Sequence, residues 1–191
     1  MKSLYINTTG KNLILGFKDE KDFYSFESDG VRQQSEEIFG DISNILHGNK
    51  ISDLDFIVCL GGPGSFTGIR LGLSIVKGFN IAVNVPVIVI DNFMAGFLSI
   101  AQKPDEFYII LPSGEKELFT KKYSKVGQVL EEGKLCKKEE FKSDVDIFEN
   151  PKVDILSVLL AIEKDFDNKN FVQKTIEPTY IKPHYAKVKV K

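Results

Sequence analysis

Apolar and polar residues alternate in short segments over the first thirty positions of the chain. Three segments rich in β-branched and aromatic residues, "SLYINTT", "NLILGFK" and "DFYSFES", are separated by the polar breaks "GK" and "DEKD". Short segments of this composition bounded by turn-forming residues are typical of β-strands joined by tight turns. The pattern therefore predicts an antiparallel meander of three strands at the start of the chain.

Helices and strands alternate after this meander. Residues 32–47 carry isoleucines and a leucine at helical spacing, and Gly48 is a plausible end for that helix. The almost wholly apolar segments 56–60 and 85–91 are typical of strands covered on both faces. Further helices are predicted over 67–83 and from 91 or 92 to 101. The resulting order, β β β α β α β α, predicts an α/β chain with the ribonuclease H-like, actin-like (ASKHA) fold.

The pattern changes after Lys103. The segments "FYIIL" and "ELFTKKYS" predict two strands, a stretch rich in lysine and glutamate follows, and "DILSVLLAIEKDF" predicts a helix. We therefore expect a complete N-terminal lobe over residues 1–102 and a smaller, reduced C-terminal lobe over residues 103–191 that ends in a basic tail.

Composition limits the classes of protein and of site. No segment reaches the roughly 20 uncharged apolar residues that span a bilayer, so we expect a cytoplasmic protein without membrane contact. With two cysteines and two histidines, the chain offers few residues for a disulfide framework, a zinc site or a serine–histidine triad. We expect no catalytic residue and no metal site.

The glycine-rich stretch "GGPGSFTGIR", residues 61–70, follows an apolar strand. It lacks the lysine of a phosphate-binding P-loop and the third glycine of the dinucleotide fingerprint. Its composition predicts a strand-to-helix turn at which an anion or nucleotide could bind, and an empty tight turn is the alternative. The candidates for that binding are Gly64, Ser65, Thr67 and Arg70.

Small residues recur along the helix predicted after this turn. Gly68 and Gly72 lie four residues apart, as do Ser74 and Gly78. Since glycine costs about 1 kcal/mol relative to alanine inside a helix, several glycines indicate a close neighbour. That neighbour is either another part of the same fold or a second chain.

The segment "GGPGSFTGIRLGLSIVKGF" strongly resembles the signature of the TsaB (YeaZ) family, bacterial proteins of threonylcarbamoyladenosine synthesis on transfer RNA. The resemblance covers roughly residues 1–100, including "QQSEEIFGDISNIL" and "VIDNFMAGF". Beyond it, chiefly "EPTYIK" resembles the C-terminal Pro-x-Tyr segment of the family.

This resemblance implies a non-catalytic subunit that pairs with TsaD, which transfers the threonylcarbamoyl group, and that works with the ATPase TsaE. ATP and magnesium would then be used by the complex and transfer RNA contacted through it, and the chain alone would form a homodimer through the same surface. The first two helices, 32–47 and 67–83, would form that surface. We expect a bulky residue at position 72 to abolish pairing without unfolding the monomer. The expected interface residues are Phe39, Ile42, Gly68, Leu71, Gly72, Ile75, Gly78 and Phe79.

The sequence departs from the family at three places. Asn7 replaces an aspartate, Gln34 replaces a histidine, and residues 111–113 are Leu-Pro-Ser where the family has Asp-Ala-Arg. No glycine occurs after Gly133, so a glycine-rich adenosine loop in the second lobe is not expected. Two alternatives are a small acyl- or phosphotransferase that uses the 61–68 loop as an anion cradle, and a transfer RNA binding module that uses the lysines of residues 182–191.

Overall fold

The computed structural model describes residues 1–28, 34–166 and 176–181 of the chain, and over the first hundred residues it has the predicted order of strands and helices. The α/β fold class is confirmed, and each helix predicted within the first hundred residues is present, with residues 32 and 33 of the first helix lying outside the described residues. The elements are β1 (Ser3–Asn7), β2 (Ile14–Lys18), β3 (Phe23–Glu27), α1 (Gln34–Ile45), a short 3-10 helix (Ile51–Asp53), β4 (Phe56–Leu60), α2 (Phe66–Val83), β5 (Val87–Ile90), α3 (Asn92–Ser99), β6 (Glu106–Ser113), β7 (Glu117–Ser124), β8 (Val129–Lys137), β9 (Asp146–Glu149) and α4 (Ile155–Phe166).

The first of two compact units consists of the described residues of Met1–Gln102 and Pro151–Thr179. Its five strands lie in the order β3-β2-β1-β4-β5, with antiparallel pairing in the meander and parallel pairing of β1 with β4 and of β4 with β5. The carboxyl ends of β1, β4 and β5 therefore meet at one edge of the sheet. In open sheets of this kind, loops at that edge are the usual place for a ligand.

Both faces of this sheet are covered by helices. On one face, Leu4 and Ile6 of β1 share a core cluster with Ile38 of α1 and Ile69 of α2. On the other face, Tyr5 of β1 shares a second cluster with residues of α3 and α4. Since side chains alternate along a strand, coverage on both faces explains why β4 and β5 are apolar at every position.

Helix α4 belongs to the first unit, so the prediction that all of residues 103–191 form one C-terminal lobe is wrong. Its buried residues Val158 and Ile162 pack on the sheet of the first unit, beside β1 and β4. Glu163 forms an ion pair with Lys18 of β2 at 2.9 Å. An apolar helical stripe indicates that a helix is buried but not which sheet it covers, and this is why the boundary was misplaced.

The second unit contains the described part of Lys103–Asn150 and of the residues from Tyr180 onward, and its sheet has the strand order β8-β7-β6-β9. The sequence predicts β6 and β7 but not β8 or β9. Strand β8 includes the charged pair Glu131 and Lys134, whose side chains meet at 2.7 Å, and no residue of the strand is fully buried. A half-exposed strand at the edge of a sheet needs little apolar surface, so its composition resembles that of a loop.

Helix α2 is long and apolar enough, by length and composition alone, to cross a membrane, with a mean hydropathy of 1.2 over 18 residues. It carries Arg70 and Lys77 along its length. Its buried residues, including Leu73 and Val76, pack into the core cluster under α1. The apolar composition of that side is explained by the core, whereas its exposed apolar residues need another explanation.

Candidate partner-binding surface

The glycine-rich turn between β4 and α2 is closed by hydrogen bonds from its own chain. Ser65 is the N-cap of α2, and its hydroxyl oxygen accepts a hydrogen bond from the Gly68 backbone N–H at 3.2 Å. The Ser65 backbone N–H donates to the Thr9 carbonyl oxygen at 2.7 Å. The turn is thereby fixed to the loop that follows β1.

Three glycines of this turn and of α2 face the β1–β2 loop at very short range. A Cβ atom added to Gly64 would lie 2.5 Å from the Thr9 carbonyl oxygen, and one added to Gly68 would lie 1.9 Å from the Thr8 carbonyl oxygen. A Cβ at Gly72 would lie 2.5 Å from Thr8 Oγ1. The close neighbour of these glycines is therefore the same chain. The assignments of Gly68 and Gly72 to a partner interface are wrong, and a bulky residue at position 72 would disturb the fold itself.

The side chain of Asn7 helps to fix the same loop. Its Oδ1 accepts hydrogen bonds from the Thr9 backbone N–H at 2.9 Å and from the Thr9 hydroxyl at 2.8 Å. The side-chain amide of Asn92, at the start of α3, donates to Thr9 Oγ1 at 2.8 Å and to the Pro63 carbonyl oxygen at 2.7 Å. The sequence reasoning missed Thr9 and Asn92. The hydroxyl-rich turn "NTT" after a strand was the one available signal for the first of them.

The structure brings the four anion candidates together around the first turn of α2. The Arg70 guanidinium lies over the Phe66 ring, 3.9 Å from its centroid, and the Thr67 side chain is exposed. Gly64 packs on Thr9, and the Ser65 hydroxyl caps the helix. Anion or nucleotide binding at this turn remains a prediction.

Neither cysteine has the properties of a nucleophile. Burial raises the pKa of Cys59 to about 12, and burial also raises the pKa of Cys136. Since the thiolate is the reactive form, both side chains stay protonated near neutral pH. Within the described residues, no group of three or more histidine, cysteine, aspartate or glutamate side chains could hold a metal ion.

The exposed side of α1 and α2 carries large apolar side chains. Phe39 is 57% exposed, and its ring contacts that of Phe79 edge to face, with centroids 6.2 Å apart. At the end of α2, Ile81 is 76% exposed and Val83 is 44% exposed. Each of these side chains leaves a large part of its apolar area in contact with water, so this area is available to a partner.

Two residues predicted for this surface lie in the core instead. Ile42 is 2% exposed and Ile75 is 6% exposed, and both belong to the core cluster between the helices and the sheet. Leu71 and Phe79 are partly buried at the margin of that cluster. Helical spacing identified an apolar side of each helix, but Ile42 and Ile75 lie on the sides that face the sheet.

Gly78 differs from the other glycines of α2. A Cβ atom added there would meet nothing within 4 Å, and Gly78 lies between the exposed small residues Ser74 and Ala82 at four-residue spacing. No internal contact therefore requires glycine at this position.

We name the exposed surface formed by residues of α1 and α2 the α1/α2 face. It consists of Phe39, Ser74, Gly78, Phe79, Ile81, Ala82 and Val83.

Replacing Gly78 with alanine should stabilise the isolated chain. Alanine restricts the unfolded chain and favours helix, so Gly78→Ala should raise the free energy of unfolding by about 0.5–1 kcal/mol. Urea unfolding followed by far-UV circular dichroism would measure the change. A lower free energy of unfolding would mean that the fold does need glycine at position 78.

Comparison with known proteins supports the resemblance found in the signature segment. Residues 30–166 match the sequence model of the family described as TsaD, tRNA N6-adenosine threonylcarbamoyltransferase. The tRNA threonylcarbamoyladenosine biosynthesis protein TsaB of Buchnera aphidicola subsp. Schizaphis graminum is 26% identical over 128 residues, covering 66% of this chain and 57% of that protein. TsaB of Escherichia coli K12 is 31% identical over 65 residues, covering 33% of this chain and 28% of that protein. The chain thus matches less than two thirds of the length of either relative.

The fold is that of a solved member of the same group. YeaZ from Pseudomonas aeruginosa superposes with a TM-score of 0.74 at 15% sequence identity, and the alignment covers 94% of this chain and 99% of that chain. The likeness extends over both units, which agrees with the ASKHA-like fold predicted from the order of elements. The chain therefore belongs to the TsaD family, and within it the matches place it with the TsaB (YeaZ) proteins that its glycine-rich signature resembles.

Proposed function

We propose that this chain is a non-catalytic subunit of the assembly that forms threonylcarbamoyladenosine next to the anticodon of transfer RNA. Its role is to bind TsaD through the α1/α2 face and to hold that enzyme in an active state. The observation that carries the proposal is the exposure of Phe39 on α1 and of Ile81 and Val83 on the neighbouring helix α2. Family membership supports TsaD as that partner.

The chemistry of the α1/α2 face suits a helical partner. Gly78 and its small neighbours allow another backbone to approach α2, and the large apolar residues around them supply area to bury. Burying one large aliphatic side chain contributes about 1.5–3 kcal/mol. A few such residues at the centre of a contact are enough to dominate its affinity.

The same face would support the homodimer of the isolated chain. A single surface cannot hold TsaD and a second copy at once, so the two forms compete. Under this proposal ATP and magnesium are used by the complex with TsaD and TsaE, and the chain needs no cofactor of its own. Transfer RNA is reached through the complex.

The loops at the carboxyl edge of the sheet support the non-catalytic part of the proposal. Asn7 cannot supply the carboxylate that phosphoryl transfer on this fold uses near its metal. Its amide is instead engaged in fixing Thr9, and the loop after β1 packs on Gly64 and Gly68. These polar groups serve to hold the loops together.

Size-exclusion chromatography with light scattering tests the proposal. We expect the chain alone to run as a dimer, and we expect an equimolar mixture with TsaD from the same organism to give a mixed complex at the expense of that dimer. The chain alone should not turn over ATP. A chain whose elution and mass stay unchanged with TsaD, ATP and magnesium, or that hydrolyses ATP alone, would contradict the proposed function.

A further inference from the structure

A short C-terminal segment is bound to the glycine-rich turn. Residues 176–179, which we name the C-terminal strap, lie against Gly61 and Gly62. The Thr179 backbone N–H donates to the Gly61 carbonyl oxygen at 2.8 Å. A Cβ atom at Gly62 would lie 3.0 Å from the Thr179 carbonyl oxygen, so glycine allows the strap to approach this closely.

In space, Gly62 alone separates the strap from the first turn of α2. The same Cβ atom at Gly62 would lie 2.8 Å from Ile69 Cδ1, in the first turn of α2, so Gly62 lies between Thr179 and Ile69. The backbone N–H of Asn92 donates to the Gly62 carbonyl oxygen at 2.7 Å, which fixes the residue from the α3 side. Movement of the strap would therefore displace the start of α2 through direct contacts.

The strap also has a side-chain anchor in the core. Ile176 packs against the cluster that contains Ile38 of α1 and Ile69 and Leu73 of α2. That cluster is the buried side of the two helices whose exposed side is the α1/α2 face. Closely packed interiors transmit displacements, so an anchor on one side of a helix affects the position of the other side.

We infer that the C-terminal strap is a positioning element for the partner-binding helices. The Thr179 N–H and the Ile176 side chain hold Gly61, Gly62 and the first turn of α2 in place. The α1/α2 face therefore depends on residues more than ninety positions away in sequence. The consequence for pairing rests on the proposed function, whereas the effect on α2 does not.

Thr179→Pro tests this inference because proline lacks the backbone N–H that donates to the Gly61 carbonyl oxygen. Thr179→Ala is the matched control, since it shortens the same side chain and keeps the N–H. Ile176→Ala is a second variant that weakens the anchor without changing the backbone. Amide hydrogen exchange in the full-length variants, without partner, would measure the protection of residues 61–70, of α4 and of β6 and β7. Titration with TsaD would measure affinity.

We expect Thr179→Pro and Ile176→Ala to speed exchange over residues 61–70 by about tenfold and to weaken pairing by about tenfold, the effect of one lost buried hydrogen bond or methyl contact. Protection of β6 and β7 should not change, and Thr179→Ala should match the parent. Unchanged exchange over residues 61–70, or a uniform rise across all elements, would overturn the inference. A variant whose α2 amides exchange faster but whose affinity for TsaD is unchanged would also overturn it. If the parent itself does not bind TsaD, the proposed function fails, and the exchange data alone decide whether the strap holds α2.

Discussion

Gly68→Ala should destabilise the isolated chain by about 3 kcal/mol or more, the upper range for overpacking a tight core. The added Cβ would lie 1.9 Å from the Thr8 carbonyl oxygen, a backbone atom that cannot rotate away. The Thr8 hydroxyl also donates to the Gly68 carbonyl oxygen at 2.7 Å, so displacing α2 from the loop breaks a buried hydrogen bond as well. The midpoint and slope of urea unfolding would measure the loss.

Gly78→Ala is the internal control, because it makes the same substitution in the same helix where the added atom meets nothing within 4 Å. The two variants should shift the unfolding midpoint in opposite directions. A small effect at position 68 would show that the β1–β2 loop can move away from α2 at little cost. The close packing of the turn would then not explain the glycines of the signature.

Ile81→Asp should abolish pairing while leaving the monomer folded. Ile81 is 76% exposed, so a carboxylate there costs the isolated chain little. In a complex the same carboxylate would be buried without a partner, and it would replace an apolar contact. Together these effects should weaken binding to TsaD and self-association by more than about a hundredfold. Light scattering and titration with TsaD would measure both.

Val126→Asp is the matched control. Val126 is 86% exposed in the turn between β7 and β8, in the other unit, and receives the same change of charge and size. It should pair like the parent chain. If Ile81→Asp pairs normally, or if both variants lose pairing equally, the α1/α2 face is not the partner-binding surface.

The helices and strands of the first unit could be predicted from local pattern. Short β-rich segments between turns, wholly apolar β4 and β5, and the helical spacing of α1 and α2 all depend on neighbours within a few positions. Burial on one side of an element leaves a periodic apolar pattern, and burial on both sides leaves a continuous apolar run, so either can be read from the sequence. The resemblance to a family could be recognised in the same way, because the residues of the signature segment are contiguous in the sequence.

The local sequence pattern was a weaker guide to the two edge strands of the second sheet. Strands β8 and β9 have few buried residues, so their sequence carries little alternation. The apolar stripe of α4 was recognised, but its place on the first sheet was not. The choice of sheet depends on contacts such as Val158 with the first core and Lys18 with Glu163, which join distant positions in the chain.

The roles of the glycines show the same division. From the chain alone, Gly68, Gly72 and Gly78 are equivalent small residues on one helix, and a close neighbour could be expected at each. The three-dimensional arrangement separates them, because the loop after β1 fills the space beside Gly68 and Gly72 and leaves Gly78 open. The physical reason is that local pattern records which residues avoid water or bulk, whereas the identity of the neighbour depends on segments brought together only by folding.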